Sequence, residues 1–190
     1  MSEVVITGIT HSSDQKKVPT PISIVPREQL LQNSSSNIID AITKVPGVSQ
    51  LSTGVGISKP VIRGLGYNRV VVMNDGIRQE GQQWGSEHGI EIDEFSVNRI
   101  EILKGPSSLV YGSDAMAGVI NMISFPTLPE GTIQGNALAT YQSNNGQMGL
   151  SGNFSGNTKG FIYDLRYSKK QAYAYHNQYD GYVFGSGFKE

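Results

Sequence analysis

The chain lacks several features that would assign it to common classes of protein. It has no cysteine, which excludes disulfide bonds, thiolate zinc sites and cysteine nucleophiles. No stretch approaches the roughly 18 to 20 apolar residues of a membrane-spanning helix. Fifteen basic and sixteen acidic side chains leave a net charge of −1. Binding to nucleic acid depends on a clustered basic face, so we expect no nucleic-acid partner.

Signatures of catalysis are also missing. Residues 105–112 superficially resemble a phosphate-binding loop, but the lysine that reaches the phosphate is absent. Gly64 and Gly66 are not followed by the third glycine of a dinucleotide fingerprint. His11, His88 and His176 lie far apart in the sequence, unlike the closely spaced ligands of a catalytic metal. We therefore expect no enzyme activity, no catalytic residue, no bound metal and no cofactor.

The first residues, MSEVVITG, lack the basic and apolar regions of a secretory signal peptide. An exported protein needs such a signal, so we interpret Met1 as the start of an excised fragment. An initiator methionine on a cytoplasmic protein would give the same sequence.

Residues 18–125 carry short strand and helix patterns in alternation. Helices are expected over 26–31 and 37–44, the second with an N-cap among Ser34, Ser35 and Ser36. Residues 69–73 read RVVVM, which predicts a strand buried on both faces. The other strands are expected at 21–25, 48–51, 60–63, 99–103 and 119–124. These patterns predict an α/β domain with a small mixed sheet and short helices, ending near Phe125.

Residues 126–190 show a different pattern, an antiparallel β-meander. Apolar side chains alternate with polar or small ones in three segments, separated by turn signals at 144–146 and 157–160. Strands of about ten residues with aromatic ends are typical of a transmembrane β-barrel, although a soluble antiparallel sheet alternates in the same way. Three strands cannot close a barrel. In the isolated chain we therefore expect residues after Glu130 to be disordered or to pair with another copy as a strand-swapped oligomer.

Two motifs identify a family. Residues 99–124 read RIEILKGPSSLVYGSDAMAGVINMIS, a strand, a Gly-Pro break, a short helical turn, a glycine-rich joint and a second strand. Residues 62–77 read IRGLGYNRVVVMNDGI. Together they resemble the plug domain of TonB-dependent outer-membrane receptors, over about residues 4–124. The resemblance divides the chain into an N-terminal segment (1–17), a plug domain (18–125) and the first strands of an incomplete barrel (126–190).

The resemblance implies a function as the gating part of an outer-membrane transporter in a Gram-negative bacterium. The plug would lie inside the lumen of the barrel, with the N-terminus in the periplasm. The cargo would be a scarce nutrient, with a ferric siderophore, haem or another metal chelate favoured. The partners implied are TonB, the missing C-terminal β-barrel and this small-molecule substrate. The alternative is a freestanding soluble plug-like module that binds a ligand without transport.

The resemblance also implies three groups of functional residues. An apical loop at 79–91 would contact the ligand through Gln82, Gln83, Trp84, Glu87 and His88. Alternatively, Trp84 anchors the loop and His88 is solvated. Plug-barrel contacts would come from Arg63, Arg99 and Glu101, which could instead form ion pairs within the domain. A TonB box would comprise Glu3, Val4, Val5, Ile6 and Thr7, followed by a mobile polar connection at 11–17. The same residues could form the first strand of the plug.

Overall fold

The computed structural model describes residues 5–6, 13–14, 22–32, 35–54, 56–80, 88–143, 145–179, 181–183 and 185–189. The chain divides into two compact units, Met1–Thr53 with Ile57–Ser124, and Gly54–Gly56 with Phe125–Glu190. Within the described ranges, no helix is long and apolar enough to cross a membrane.

The first unit is built from short strands and helices. Its strands are β1 (Val5–Ile6), β2 (Ser13–Asp14), β3 (Ile22–Pro26), β4 (Val48–Gly54), β5 (Ile57–Ile62), β6 (Val70–Asn74), β7 (Ile77–Arg78), β8 (Val97–Lys104) and β9 (Gly118–Ser124). Its α-helices are α1 (Arg27–Gln32) and α2 (Ile38–Ile42). Three-residue 3₁₀ helices cover Tyr67–Arg69, Glu94–Ser96 and Ser113–Ala115, and a longer one covers Pro106–Tyr111.

A five-stranded mixed sheet in the order β3-β8-β9-β6-β7 forms the centre of this unit. Strands β6 and β9 are parallel, and the other neighbours are antiparallel. β4 pairs with β5, and β1 with β2, in separate two-stranded sheets. The predicted α/β plug domain with a small mixed sheet is confirmed.

Apolar residues cover both faces of the central sheet. Val70 and Val72 of β6 join a core with α1 and α2, whereas Val71 and Met73 join a second core with Leu103 and Ala115. All four β6 residues are at most 3% exposed. This confirms the prediction of burial on both faces for Val70 to Met73, whereas Arg69 is exposed and ends a 3₁₀ helix before the strand.

The N-cap of helix α2 is Asn37, one residue after the serines that were expected to cap it. The side chain of Asn37 accepts hydrogen bonds from the backbone nitrogens of Ile39 (3.0 Å) and Asp40 (2.9 Å). The prediction of an N-cap among Ser34, Ser35 and Ser36 was therefore wrong. The Asn37 side chain is oriented for capping because its amide nitrogen donates a hydrogen bond to Ser58 Oγ in β5 at 3.0 Å. The local sequence does not reveal this contact.

At the N-terminus, Val5 pairs with Asp14 and Ile6 with Ser13. The polar connection predicted over 11–17 is therefore not irregular throughout, because two of its residues form β2. The remaining residues of the predicted TonB box (Glu3, Val4 and Thr7) lie outside the described residues.

The second unit contains β10 (Thr132–Gln142), β11 (Gln147–Thr158), β12 (Phe161–Ala172), β13 (His176–Asn177), β14 (Gly181–Tyr182) and β15 (Phe188–Lys189). β10, β11, β12 and β15 form one antiparallel sheet in that order, and β13 pairs with β14. The predicted antiparallel meander is confirmed. The expected disorder after Glu130 is not observed, because β10 to β12 pair along their whole lengths within the chain. Pairing with another copy stays a prediction.

The register places apolar and polar residues on opposite faces of this second sheet. Ala139, Leu150 and Tyr141 share one face, while Asn136, Asn153 and Asp164 share the other. The ring of Tyr163 covers Gly156, where an added Cβ would clash with the Tyr163 hydroxyl. Phe154 stacks on the same ring at 5.7 Å between centroids. These aromatic side chains thus fill the space above Gly156, near the turn between β11 and β12.

Candidate functional site

A buried ion pair lies on strand β8 of the first unit. The Glu101 side chain is fully buried, and Arg99 Nε and Nη2 lie 3.0 and 2.9 Å from its Oε1. The Arg99 side chain is 23% exposed. Burial and the negative charge of Glu101 raise the pKa of the neighbouring Tyr111 phenol. Two residues of the predicted plug-barrel set are therefore in direct contact, and Arg99 is the partner that reaches the surface.

Arg63, the third residue of that set, lies beside the Gly-Pro break that follows β8. Its backbone has φ 51° and donates to Gly47 O at 2.9 Å. A Cβ added to Gly105 would lie 3.9 Å from Arg63 Nη1. The fold therefore brings together the two motifs that identified the family, although they are separated by about forty residues in the sequence.

Lys104 contributes a second cation at this point. Its Nζ donates to Pro46 O at 2.6 Å and to Ser23 Oγ at 3.2 Å. Burial and, to a smaller extent, the charge of Arg63 lower the pKa of Lys104. Sequence reasoning missed Lys104, because only the tertiary fold places its ammonium group against the carbonyl of Pro46, after helix α2.

The predicted apical loop is described only at its two ends. At its start, Arg78 Nη2 forms an ion pair with Asp114, and Arg78 Nε lies 3.5 Å from Glu80 Oε1. This links the loop to the segment after the Gly-Pro motif. Gln82, Gln83, Trp84 and Glu87 lie outside the described residues.

At its end, the loop returns across strand β5. A Cβ added to Gly89 would lie 3.1 Å from Ser58 N and 3.2 Å from Ile57 Cα, so the backbones are in close contact. Ile90 is buried, whereas His88 and Glu91 are exposed, with Nδ1 and Oε1 4.0 Å apart. His88 is therefore presented to solvent next to a firmly packed backbone. Among the described residues, no group of three His, Cys, Asp or Glu side chains could hold a metal ion.

Comparison with known protein families identifies the family of this chain. The family model of the TonB-dependent receptor plug domain matches residues 14–119. The chain belongs to this family. The matched region contains β3, β6, β7, β8 and the start of β9 in the central sheet. It also contains the whole 62–77 motif and residues 99–119 of the second motif.

The curated relatives of this plug include an outer-membrane protein and a vitamin transporter. The iron-regulated outer membrane virulence protein of Vibrio cholerae is 36% identical over 129 residues, which is 64% of this chain and 20% of that protein. The vitamin B12 transporter BtuB of Photobacterium profundum is 32% identical over 122 residues, with the same coverage of 64% and 20%. The chain thus spans about a fifth of the length of these curated relatives.

A solved structure shows the same fold. The hemophore receptor HasR of Serratia marcescens, a double mutant in complex with its hemophore HasA and heme, superimposes with a TM-score of 0.76. The match covers 90% of this chain and 28% of HasR at 20% identity. The expectations of a TonB-dependent receptor plug, an outer-membrane location and no enzyme activity are confirmed at the level of the family. The comparisons give no support to the freestanding soluble module.

Proposed function

We propose that this chain is the plug and the first barrel strands of a TonB-dependent outer-membrane transporter that takes up a scarce nutrient. One observation carries the proposal. A plug-family sequence at 14–119 is followed in the same chain by strands β10 to β12, each of 11 or 12 residues with one apolar and one polar face. Such strands are long enough to cross a bilayer as part of a barrel.

The cargo we propose is a ferric siderophore, haem or another metal chelate. The V. cholerae relative is named as iron-regulated, and the HasR structure contains heme. The exposed His88 imidazole supports a metal-containing ligand, because imidazole is a common metal ligand. The other proposed ligand contacts on this loop are Gln82, Gln83, Trp84 and Glu87.

TonB would act on the N-terminal segment. β1 is joined to β2 by only two residue pairs, so little backbone pairing has to break before Val5 and Ile6 can add to the edge of another sheet. We propose that TonB captures residues 3–7 in this way and transmits a pull to the plug. The energy would come from the proton gradient of the inner membrane.

The plug would be held in its barrel by cationic side chains. Arg99 is neutralised on one side by Glu101 and partly exposed on the other, and Arg63 is exposed beside Gly105. Guanidinium groups form bidentate contacts with carboxylates. We propose that both arginines contact acidic groups on the inner wall of the barrel, with Glu101 fixing the orientation of Arg99.

Uptake by the full-length receptor tests this function. The gene would be expressed in hosts with and without TonB, each lacking its own iron receptors, and radiolabelled iron would be supplied as haemin or as a ferric catecholate. We expect TonB-dependent uptake, lost in Val5→Pro because proline cannot donate the backbone hydrogen bond that strand addition needs. The matched control is Gln15→Pro in the connection. Equal uptake without TonB, or undiminished uptake by Val5→Pro, would contradict the proposal.

A further inference from the structure

The turn between β10 and β11 contains the dipeptide Asn145-Gly146, and no other asparagine in the sequence is followed by glycine. The amide carbon of an asparagine side chain can be attacked by the backbone nitrogen of the next residue. Glycine has no side chain to obstruct this attack, and it adopts backbone conformations that other residues avoid. Gly146 has φ +61°. The turn signal at 144–146 is therefore also a chemically reactive dipeptide.

The fold holds the reacting groups of this dipeptide close together. Asn145 Oδ1 accepts a hydrogen bond from Gln147 N at 3.1 Å, so the side chain folds back along the main chain toward the peptide bond that contains Gly146 N. Tyr173 N donates to Asn145 O at 3.1 Å and fixes the backbone of the same residue. Reacting groups that are already held near each other lose less entropy when they react.

The hydrogen bond from Gln147 also stabilises the reaction. Attack on the side-chain amide of Asn145 turns Oδ1 into an oxyanion, and the Gln147 N–H group is already directed at this oxygen. Backbone N–H groups that point to an oxygen where negative charge develops stabilise tetrahedral intermediates in enzymes. The turn therefore supplies an oxyanion donor from its own backbone.

A second dipeptide of similar reactivity, Asp75-Gly76, is protected by its contacts. Aspartate can undergo the same ring closure with a following glycine. Asp75 Oδ1 accepts from Ser124 N at 2.8 Å, and Gly76 N donates to Asn121 Oδ1 at 3.1 Å. The attacking nitrogen is thus engaged, and the carboxyl group is held against β9. Among the described residues, no acceptor engages Gly146 N in this way.

We propose that Asn145 is a site of self-modification, which converts to aspartate and isoaspartate through a succinimide. Gly146 N gives its proton to hydroxide and bonds to Asn145 Cγ, and the side-chain nitrogen takes a proton from water and leaves as ammonia. Water then opens the ring. Opening at Cγ gives aspartate, whereas opening at the main-chain carbonyl gives isoaspartate, whose backbone is one atom longer.

The modification changes the loop in two ways. Either product adds a negative charge, because a free carboxyl group is ionised at neutral pH. The longer backbone of isoaspartate also shifts the carbonyl that accepts from Tyr173 N, which loosens the start of the connection after β12. The conversion needs no enzyme, and it does not depend on the cargo of the receptor.

The test is peptide mass mapping of the purified full-length receptor after incubation at mildly alkaline pH. We expect the peptide containing residue 145 to change in mass from the amide to the acid and to separate into two forms, one of which is labelled by an isoaspartyl methyltransferase. The rate should rise in proportion to the hydroxide concentration, because Gly146 N must lose its proton. Asp75-Gly76 in the same samples is the internal control and should yield no isoaspartate.

Two variants of Gln147 test the role of the hydrogen bond. Gln147→Pro removes the N–H donor but keeps Asn145-Gly146, and proline is tolerated at the first residue of a strand. We expect this variant to convert about tenfold more slowly or less, since one oxyanion donor contributes on the order of a hundredfold in an enzyme. The matched control Gln147→Ala keeps the N–H group and should convert like the wild type.

A synthetic peptide of residues 141–149 sets the time scale of the measurement. If Asn145 of the folded wild-type receptor is still intact when half of this peptide has converted, the proposal is overturned. Equal rates in Gln147→Pro and Gln147→Ala would overturn it as well, because the hydrogen bond to Oδ1 would then contribute nothing.

Discussion

Substitution of Gly118 tests the packing at the centre of the plug most directly. Gly118 begins β9 with φ +155°, where it pairs with Val70 of β6 and Lys104 of β8. A Cβ at this position would lie 2.5 Å from Leu103 O and 2.9 Å from Ile62 Cδ1. Gly118→Ala therefore introduces both backbone strain and a clash with a backbone carbonyl.

The expected cost follows from these two effects. An L-residue held in a sparsely populated backbone region costs about 1 to 3 kcal/mol, and overpacking of a closed core costs about 1 to 3 kcal/mol. We therefore expect Gly118→Ala to destabilise the sheet by about 2 to 6 kcal/mol. Gly64→Ala is the control, because Gly64 also has positive φ (+82°) but no atom within 4 Å of an added Cβ. It should cost about 1 kcal/mol.

Amide hydrogen exchange in the full-length receptor measures the effect, because it reports the local stability of β8 and β9 inside an otherwise stable protein. Each 1.4 kcal/mol accelerates exchange about tenfold when exchange follows local opening. Gly118→Ala should therefore exchange at least about 30-fold faster than the wild type over residues 97–104 and 118–124. Protection within about threefold of that of Gly64→Ala would refute the reasoning, since the clash would then cost nothing.

Three further predictions concern Arg99, Tyr111 and Asn37 of the plug. Arg99→Met should destabilise the plug by about 3 kcal/mol in a denaturant titration, because Glu101 would stay buried without the guanidinium that neutralises it. The control Arg69→Met, at an exposed site, should have little effect on stability. Tyr111 has a raised pKa, so its contribution to stability is complete below its ordinary pKa of 10.0 and is lost as pH rises through the raised value. The melting temperature of the wild type should therefore fall more between about pH 8 and about pH 11 than that of Tyr111→Phe, and equal falls would contradict this. Asn37→Ala should cost about 1 kcal/mol of stability by loss of the α2 cap, with Asn37→Ser retaining most of it; equal loss in both would reject the capping role.

The exposure of apolar side chains agrees with the proposed roles of the two units, the first as a plug and the second as the first strands of a barrel. The plug sheet is covered on both faces by its own apolar residues, whereas β10 to β12 expose large apolar side chains such as Leu150, Leu165 and Tyr167. Exposed apolar patches of this kind mark a surface that contacts lipid or another protein. A bilayer on that face of the second unit would remove this apolar surface from water.

Much of the fold could be predicted because its signals are local. The alternation along β10 to β12 and the continuous apolar run of β6 depend only on which faces of a strand are buried. The turn at Lys159 and Gly160 was also expected, and both residues have positive φ (51° and 79°). The two glycine-containing motifs were sufficient to identify the family.

The site was less predictable, because its contacts join residues distant in sequence. Arg78 meets Asp114 only because β7 and the 3₁₀ segment after the Gly-Pro motif converge, and Gly89 touches β5 only in the folded chain.

The sequence by itself thus determined the strand pattern, the position of the turns and membership of the plug family, because burial and turn chemistry act on neighbouring residues. Only the tertiary structure decided the parallel pairing of β6 with β9, the complete burial of Glu101 beside Arg99 and the choice of Asn37 as helix cap. Each of these depends on which distant segment packs alongside, and a local pattern carries no information about that choice.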